Sequence, residues 1–480
     1  MAGPSAARLA RWFVAPRCYA RGLTFTLVCL AYATDKADGA LLPAVYHELC
    51  AEFGVGPQFL GTVTLARGLA QSVVALAAGP LCRKFDRTRV IGLGVLGWAL
   101  ATALVGAARS PAALLAARAV NGAGLGVVIP VAYALASDLY PPSRHGRAFG
   151  IMYLSGNLGG LGGALLATEL AAHAGPVAGW RVPFYLIALL SMLVGGVVLA
   201  AAREPPARRL AARLSVSDAA NDVVSVLRLR SLQVIVFQGL FGSMPWFALG
   251  FLVLWLELLG FPNRTAALLR LAFDTGALAG SVVAALLIDR AAATFPRFGV
   301  PALAQVSVGS GIPLFGIILF GLPAIGAPPS AYAAMLLLTG TLITWCGPIN
   351  NTVMAAVTVP EQRGTIYGVD RLLEGLSAPA GSILVGALAE HVYGFRRGGA
   401  CGHSGATTGD AAALASALAV SLLVPWLVCL LGYSALYLVY ARDVARAARA
   451  RGELASDGAL QATGTCTDNC RSPADRYELT

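Results

Sequence analysis

The stretch AALLAARAVNGAGLGVVIPVAYALAS, from Ala112 to Ser137, contains a single charged residue, Arg118. A helix needs about 20 apolar residues to cross the ~30 Å hydrocarbon core of a bilayer. The stretch therefore predicts a helix that spans a membrane and carries a cation inside it. An ionisable residue at such a depth is costly, and it is usually paired or functional. Arg118 is thus the first candidate site residue.

Similar apolar runs extend in both directions along the chain. Of the 480 residues, 57% are hydrophobic and 12% are charged, against roughly 45–50% and about 25% in a soluble domain. This composition excludes a soluble enzyme of this length, and continuous apolar runs are not the alternating segments of a membrane β-barrel. We predict an all-α membrane protein with twelve transmembrane helices in two pseudo-symmetric six-helix halves. The predicted spans are 23–46, 58–81, 90–108, 112–137, 147–170, 182–202, 233–259, 265–288, 300–322, 331–357, 367–392 and 412–440.

The distribution of cations predicts the orientation in the membrane. With both termini in the cytoplasm, 25 of the 35 Lys and Arg residues fall in cytoplasmic segments, 5 in outer loops and 5 within spans. Cytoplasmic loops are normally enriched in these residues. Removing one span would invert everything after it, so the count also supports an even number of spans. We expect an integral multi-pass protein of the plasma membrane or of an organelle membrane, with both termini cytoplasmic.

The longest polar interruption divides the chain into two halves with matching signals. We predict a cytoplasmic N-terminal segment at 1–22, a first half at 23–202, a basic linker at 203–232, a second half at 233–440 and a disordered cytoplasmic tail at 441–480. The loop after span four reads PPSRHGRAFG (141–150), and the loop after span ten reads PEQRGTIYG (360–368). Parallel repeats of this kind are typical of transporters whose site lies between the halves.

These features resemble the major facilitator superfamily. Its best-known motif, G-x-L-x-D-R-x-G-R after span two, is degenerate in this chain, where Arg83 stands in the acidic position and Asp86 replaces the second glycine. The second-half copy keeps its acid–base pair as Asp289–Arg290. The matching residues of the first copy are Gly79, Leu81, Arg83, Lys84 and Arg87.

Within the superfamily, the chain is most similar to the spinster-like branch. Asp35–Lys36 in span one, RAVNGAGLG from Arg118 in span four, and Asp138 at the end of that span are similar in spacing to the family pattern. Leu125 stands where the family has a glutamate. The string DKADGALLPAVY (35–46) is also similar to uncharacterised plant, algal and protist transporters. The resemblance implies secondary transport of a small organic or amphipathic solute, such as a lysolipid, by rocking of the two halves.

The charges of the first half suggest a buried network. Asp35 and Asp38 lie three residues apart and share one face of a helix, so we expect one of them to pair with Arg118 across spans one and four. The pair could serve the substrate or only hold the helices together. If transport is proton-coupled, Asp35 is the first candidate carrier and Asp38 the second, and uniport is the alternative. The candidate substrate or coupling residues are Asp35, Lys36, Asp38, Arg67, Arg118, Asn350 and Asn351.

A second set of charges is more typical of ion pairs and gates. Arg270 and Asp274 lie four apart on span eight, within reach of each other. Asp370, Arg371 and Glu374 on span eleven are also spaced to pair among themselves, and we expect them to act as a gate. The full set is Arg83, Asp86, Arg87, Asp138, Arg270, Asp274, Asp289, Arg290, Asp370, Arg371 and Glu374.

The remaining motifs bear on partners. Asn263-Arg-Thr265 fits the N-glycosylation pattern in a short outer loop, and Cys50 and Cys401 both fall outside, where they could pair. No Walker A, H-E-x-x-H or G-x-S-x-G motif occurs, so we predict no enzyme, no cofactor, no metal site and no nucleic-acid partner. The expected partners are a small-molecule or lipid-like solute, protons and the lipid bilayer, with the chain as a monomer. The alternative is a transporter-like receptor or scaffold that binds a solute without net transport.

The topology gives the first testable prediction. An epitope tag inserted in the 203–231 loop and a tag at the C-terminus should both face the cytosol, because cations concentrate on that side. Protease protection in intact and permeabilised cells measures this. Digestion of either tag from outside intact cells would show that the orientation is wrong.

Overall fold

The structure is a computed structural model that describes residues 4–55, 57–173, 179–205, 216–395 and 408–452. Within these residues every regular element is a helix. Ten helices are long and apolar enough to cross a membrane, or eleven if a pair bent by 45° counts as one span. The helix of span one is added to these eleven and brings the bundle to twelve. It carries three charged residues close together, Asp35, Lys36 and Asp38. The fold class predicted from the sequence is confirmed.

The spans lie close to the predicted positions, except that the helix of span one begins at Pro4 and not near residue 23, and several spans are broken. Pro245 and Pro379 lie at two of the breaks, because proline lacks the N–H that a continuous helix needs. In chain order the spans are Pro4–Ala44; Pro57–Ala75 with Ala78–Lys84; Arg87–Ala107; Pro111–Leu139; His145–His173; Arg181–Ala201; Arg230–Gly242 with Met244–Ala248 and Leu252–Leu258; Asn263–Thr294; Gly299–Gly316 with Leu322–Ala324; Pro329–Ile343 with Cys346–Val357; Arg363–Ser377 with Ala380–Ala387; and Thr408–Ser434.

Three shorter helices flank the spans, at Tyr46–Phe53, Val216–Leu227 and Leu436–Ala450. The last of these extends order beyond the predicted limit of the second half at residue 440. Asp443 Oδ2 accepts a hydrogen bond from the Ser231 N–H at 2.8 Å, and Arg451 donates to the Thr358 carbonyl at 3.0 Å. The first part of the predicted tail is therefore anchored to the ends of spans seven and ten. Residues 1–3, 206–215 and 453–480 of the predicted terminal segments and linker lie outside the described residues.

Apolar side chains cover the outside of the bundle as well as its interior. On span three, at least half of the surface of Leu93, Leu100 and Leu104 is exposed. Val95 and Trp98 on the same helix are fully buried. In water, an apolar surface of this extent would be unstable. In a bilayer, it is the surface that lipid covers.

The two repeated loops have the same local structure. After span four, Pro142–Arg144 form one 3₁₀ turn and span five begins at His145. After span ten, Pro360–Gln362 form one 3₁₀ turn and span eleven begins at Arg363. Identical turns at equivalent places support the internal repeat read from the sequence.

The halves meet most closely at one end of the bundle, which we call the basic end. It holds the loops after spans two, four, six, eight and ten; the opposite end is called the far end. Added Cβ atoms show how close the approach is: one at Gly368 would lie 2.4 Å from the Ala75 carbonyl oxygen, and one at Gly364 would lie 2.8 Å from Cys82 Sγ. Glycine is required there so that spans two and eleven can touch.

This close packing generates the second prediction. In a variant whose only cysteine is Cys82, maleimide should label the buried thiol slowly, and Gly368→Leu should speed labelling several times because the larger side chain forces the basic end apart. Gly97→Leu is the matched control, since nothing lies within 4 Å of that position. Equal labelling rates in all three proteins would contradict the assigned closure.

Candidate functional site

A cavity of about 580 Å³ lies between the two halves. Its floor is where Gly375 of span eleven contacts Ser72 of span two, and its lining continues towards the far end through Thr64 and Arg270. Because the halves approach closely between this floor and the basic end, the cavity lies on the side of the far end.

The lining combines cations with aromatic rings. Four cations are present, Lys36 and Arg67 from the first half and Arg270 and Arg371 from the second, against two carboxylates, Asp274 and Glu374. The aromatic lining residues are Tyr32, Tyr153, Trp246, Phe247, Phe273 and Trp426. A few charged groups in a mostly apolar cleft are what a small-molecule site requires.

Arg67 connects the cavity to the buried acids of span one. Its Nη2 donates to Asp35 Oδ1 at 3.2 Å and to Asp38 Oδ2 at 3.3 Å, and its Nε donates to Asn121 Oδ1 at 2.9 Å. The contact depends on Gly122, where a Cβ would lie 2.1 Å from the Arg67 carbonyl oxygen. Arg67 thus has a larger part than the sequence suggested, and Asn121 is a participant that sequence reasoning missed.

Asp38 is the acid that pairs with Arg118. Arg118 Nη1 lies 3.4 Å from Asp38 Oδ2, and Thr102 Oγ1 donates to Asp38 Oδ1 at 3.0 Å. Asp35 has other partners: besides Arg67, its Oδ2 lies 3.5 Å from Lys36 Nζ. The predicted contact between spans one and four is therefore present, made by Asp38 alone.

The pair on span eight forms as its spacing predicts. Arg270 Nη2 lies 3.1 Å from Asp274 Oδ1, and Arg270 Nη1 donates to the Leu249 carbonyl at 3.1 Å. Both side chains are about one-third exposed, at 34% and 36%. The pair is consequently neutral in itself and faces the cavity.

The cluster on span eleven also pairs internally. Arg371 Nη2 lies 3.4 Å from Asp370 Oδ2 and 3.1 Å from Glu374 Oε2. Its guanidinium also lies over the Tyr133 ring, 5.8 Å from the centroid, and the Tyr133 hydroxyl donates to Tyr32 at 3.1 Å. With Tyr153 stacked on Tyr133, three tyrosines of the first half meet an arginine of the second half.

The two asparagines of span ten have different surroundings. Asn350 lines the cavity, and its Oδ1 accepts a hydrogen bond from the Tyr433 hydroxyl at 2.8 Å. Asn351 is fully buried, and within the described part of the chain its side-chain amide has no hydrogen-bond partner. Asn350 is therefore placed to touch a solute, while Asn351 lies behind the cavity wall.

Two of the predicted gate residues, Asp138 and Arg87, meet at the basic end. This carboxylate accepts hydrogen bonds from Arg87 of the first half and from Arg363 of the second half. Arg87 Nε also donates to Glu204 at 2.7 Å, and Arg363 Nη1 donates to the Ser137 carbonyl at 3.0 Å. Arg363 and Glu204 were missed as gate residues, although Arg363 stands in the repeated loop after span ten.

The other motif residues have separate partners. Arg83 forms an ion pair with Asp222 of the short helix Val216–Leu227, and Asp86 lies 3.3 Å from Arg89. Asp289 accepts from the Gly146 N–H at 2.7 Å and forms an ion pair with Arg147. The partners of Asp289 thus come from the start of span five. Its neighbour in the sequence, Arg290, is not paired with it among the described contacts.

Several expectations fall on parts that the structure does not describe. Cys401 and the tail cysteines Cys466 and Cys470 lie outside the described residues, and the side chains of Cys50 and Asn263 are outside them too. Within the described residues, no group of three or more His, Cys, Asp or Glu side chains could hold a metal ion.

Comparison with known proteins gives the family. Residues 24–382 match the family model of the Major Facilitator Superfamily. A gallate transporter of Pseudomonas putida is 29% identical over 198 residues, which are 40% of this chain and 44% of that protein. A probable chloroplastic anion transporter of Arabidopsis thaliana is 30% identical over 184 residues, 38% of this chain and 34% of the relative. The chain thus spans less than half the length of these relatives.

Solved structures show the same fold over nearly the whole bundle. The human organic anion transporter MFSD10 superimposes with a TM-score of 0.63 at 20% identity, covering 85% of this chain and 99% of the other. The proton:xylose symporter XylE gives a TM-score of 0.60 at 13% identity, covering 86% and 96%. At such identities the likeness establishes the fold and leaves the solute open.

The buried network generates the third prediction. Arg118→Ala should lower the free energy of unfolding by about 1.5–3 kcal/mol, because Asp38 loses one of its two cationic partners and keeps Arg67. The exchange Asp38→Arg with Arg118→Asp should recover part of the loss, since it restores opposite charges. Thermal unfolding of the purified protein in detergent measures both.

Arg270→Ala is the control, because that arginine is partly exposed and its ion pair is screened. An Arg118→Ala protein as stable as the parent would show that the Asp38–Arg118 contact contributes nothing to the fold.

Proposed function

The chain belongs to the major facilitator superfamily, and on this premise we propose that it is a secondary transporter of a small organic anion. The observation that carries the proposal is that four cations and two carboxylates line the cavity between the halves, whereas the acids Asp35, Asp38 and Asp370 lie behind its lining. Members of this family are membrane transporters and not enzymes. The sequence, which contains no hydrolytic motif, is consistent with this. Transport then proceeds by rocking of the halves around the cavity.

The cationic lining favours a carboxylate ligand. Lys36 has a side chain 47% exposed, so its ammonium is available to a solute, and it lies 5.1 Å above the Tyr32 ring. Arg371 presents a planar guanidinium, which suits a carboxylate fork. The neighbouring rings of Tyr153 and Trp246 would pack against a flat or apolar body. Together they fit an aromatic or otherwise amphipathic acid.

The relatives support this solute class without fixing it. Their names include transporters of gallate and of niacin and probable anion transporters. The cavity of about 580 Å³ lies within the ~300–1,000 Å³ range of small-ligand sites. A larger amphipath such as a lysolipid, which the resemblance to the spinster-like branch implies, is the second candidate, and the exposed Trp246 and Phe247 rings are what favour it.

The proposal includes the orientation predicted from the sequence, with both termini in the cytoplasm, in the plasma membrane or an organelle membrane. With the basic end in the cytoplasm, as the distribution of Lys and Arg predicts, the cavity lies on the outer side of the closed gate. The proposal also includes two six-helix halves that are joined by the linker at 203–232, and a protein that acts as a monomer. We also propose that transport is coupled to protons, for which the sequence offers Asp35 first and Asp38 second.

The two lysines of the chain supply the fourth prediction. Lys36→Glu should lower the kcat/KM of gallate uptake into proteoliposomes roughly tenfold to a hundredfold. The substitution removes a hydrogen bond from the ammonium to the charged solute, and such a bond contributes ~1.5–3 kcal/mol. Lys84→Glu is the matched control, because Lys84 is exposed at the basic end, away from the cavity.

Counterflow of labelled gallate separates this function from its alternative. A receptor or scaffold would bind gallate without exchanging it across the membrane. Failure of every organic anion tested to exchange, in protein that binds them, would favour the receptor.

A further inference from the structure

We propose that the proton-binding site of this transporter is the cluster of Asp370, Arg371 and Glu374, and that its protonation prepares the cavity for an anion. The inference rests on the proposed function, and it reassigns to the second half a role that the sequence assigned to Asp35 or Asp38. It follows from comparing the charges of the two halves.

The acids of the first half are fully engaged. Asp35 has Arg67 on one oxygen and Lys36 on the other, at 3.2 and 3.5 Å. Asp38 has Arg67 and Arg118 on one oxygen, at 3.3 and 3.4 Å, and Thr102 on the other. Two carboxylates therefore stand against three cations, and a proton added to either would increase an existing excess of positive charge.

The cluster on span eleven has the opposite balance. Two carboxylates, Asp370 and Glu374, share the single cation Arg371. Asp370 is fully buried, and among the residues that the structure describes its Oδ1 has no hydrogen-bond partner. An uncompensated charge or an unpaired oxygen in such a place is costly. One proton on the cluster removes the uncompensated charge.

The surroundings supply no second cation to the cluster. Span four contributes Tyr133, whose ring lies under Arg371. Span five contributes Tyr153, which stacks on Tyr133. Both side chains are neutral phenols near pH 7. Span two packs through Ser72 and Ala75, and span seven through Gly239. Towards the basic end, the Tyr367 hydroxyl donates to the Asn351 carbonyl.

Two turns further towards that end, Arg363 and Asp138 neutralise each other. Among the described residues, the charge of the cluster is therefore compensated by Arg371 alone.

Protonation of this cluster and binding of an anion favour each other. Arg270 and Asp274 neutralise each other, so the one positive charge in excess around span one and the one negative charge in excess on span eleven cancel across the cavity. Adding a proton gives the cavity one net positive charge, and a monovalent anion restores neutrality. By thermodynamic linkage, each ligand then raises the affinity for the other.

The proposed cycle conserves charge. A proton from the water in the cavity bonds to a carboxylate oxygen of Glu374 or Asp370. Arg371 then has one carboxylate partner instead of two, and its remaining N–H groups can bind the carboxylate of the solute. Glu374 and Arg371 line the cavity, so the proton has a path to the buried Asp370. After the halves rock, both ligands leave at the basic end. One proton accompanies one monovalent anion, and no net charge crosses the membrane.

The transport experiment uses the full chain in proteoliposomes with gallate as the probe. Asp370→Asn mimics the protonated acid. It should retain counterflow at equal pH and lose accumulation driven by a pH gradient, and the membrane potential should not alter parent uptake. Asp218→Asn is the matched control and should retain the response to the gradient, because Asp218 is an exposed acid of the short helix Val216–Leu227, outside the cavity. Gradient-driven accumulation in Asp370→Asn and in Asp370→Asn/Glu374→Gln would overturn the proposal.

A readout without any solute separates this proposal from the proposed function. Infrared difference spectra of the purified protein between about pH 6 and about pH 9, where ordinary carboxyl groups stay ionised, should contain the carbonyl band of a protonated carboxylic acid. The band should be absent in Asp370→Asn/Glu374→Gln and present in Asp35→Asn/Asp38→Asn. The reverse pattern would overturn the proton site. If gallate does not cross with the parent protein and the band still follows the cluster, the solute assignment fails and the proton site stands.

Discussion

The closed basic end depends on one carboxylate that two arginines share. Asp138 of the first half accepts from Arg87 of its own half and from Arg363 of the other half. In a bundle surrounded by lipid, a buried charge must be compensated within the protein. Because half of that compensation comes from across the interface, the two halves are held together wherever Asp138 is charged. The cavity can then lie only on the opposite side of this contact.

The same constraint governs the charges that surround the cavity. Arg118 and Arg67 compensate Asp38, and Arg270 compensates Asp274; each pair fixes the relative positions of two helices or of two turns. The two halves differ in balance: around span one three cations face two acids, whereas on span eleven two acids share Arg371. In the proposed mechanism, the ion pairs around span one and on span eight stabilise the bundle, and the acidic cluster on span eleven takes up the proton.

The sequence predicted what depends on local composition. Apolar runs near 20 residues define spans whatever their neighbours, the repeated loops give the same 3₁₀ turns, and Arg270–Asp274 pair because they are one helical turn apart. What depends on packing between distant helices was not predictable. Asp38 rather than Asp35 meets Arg118, because the rotation of span one is set by its neighbours. The three tyrosines that contact one another come from spans one, four and five, and no local pattern marks them.

The central claim is that the halves rock around a cavity that binds an organic anion. Distances between spin labels at Arg109 and Arg264, at the far end, and at Arg89 and Arg297, at the basic end, measure this in a cysteine-free background. With gallate at acid pH, the account predicts that the far-end distance shortens while the basic-end distance lengthens. Two distances that stay unchanged, or that change in the same direction, would contradict alternating access in this protein.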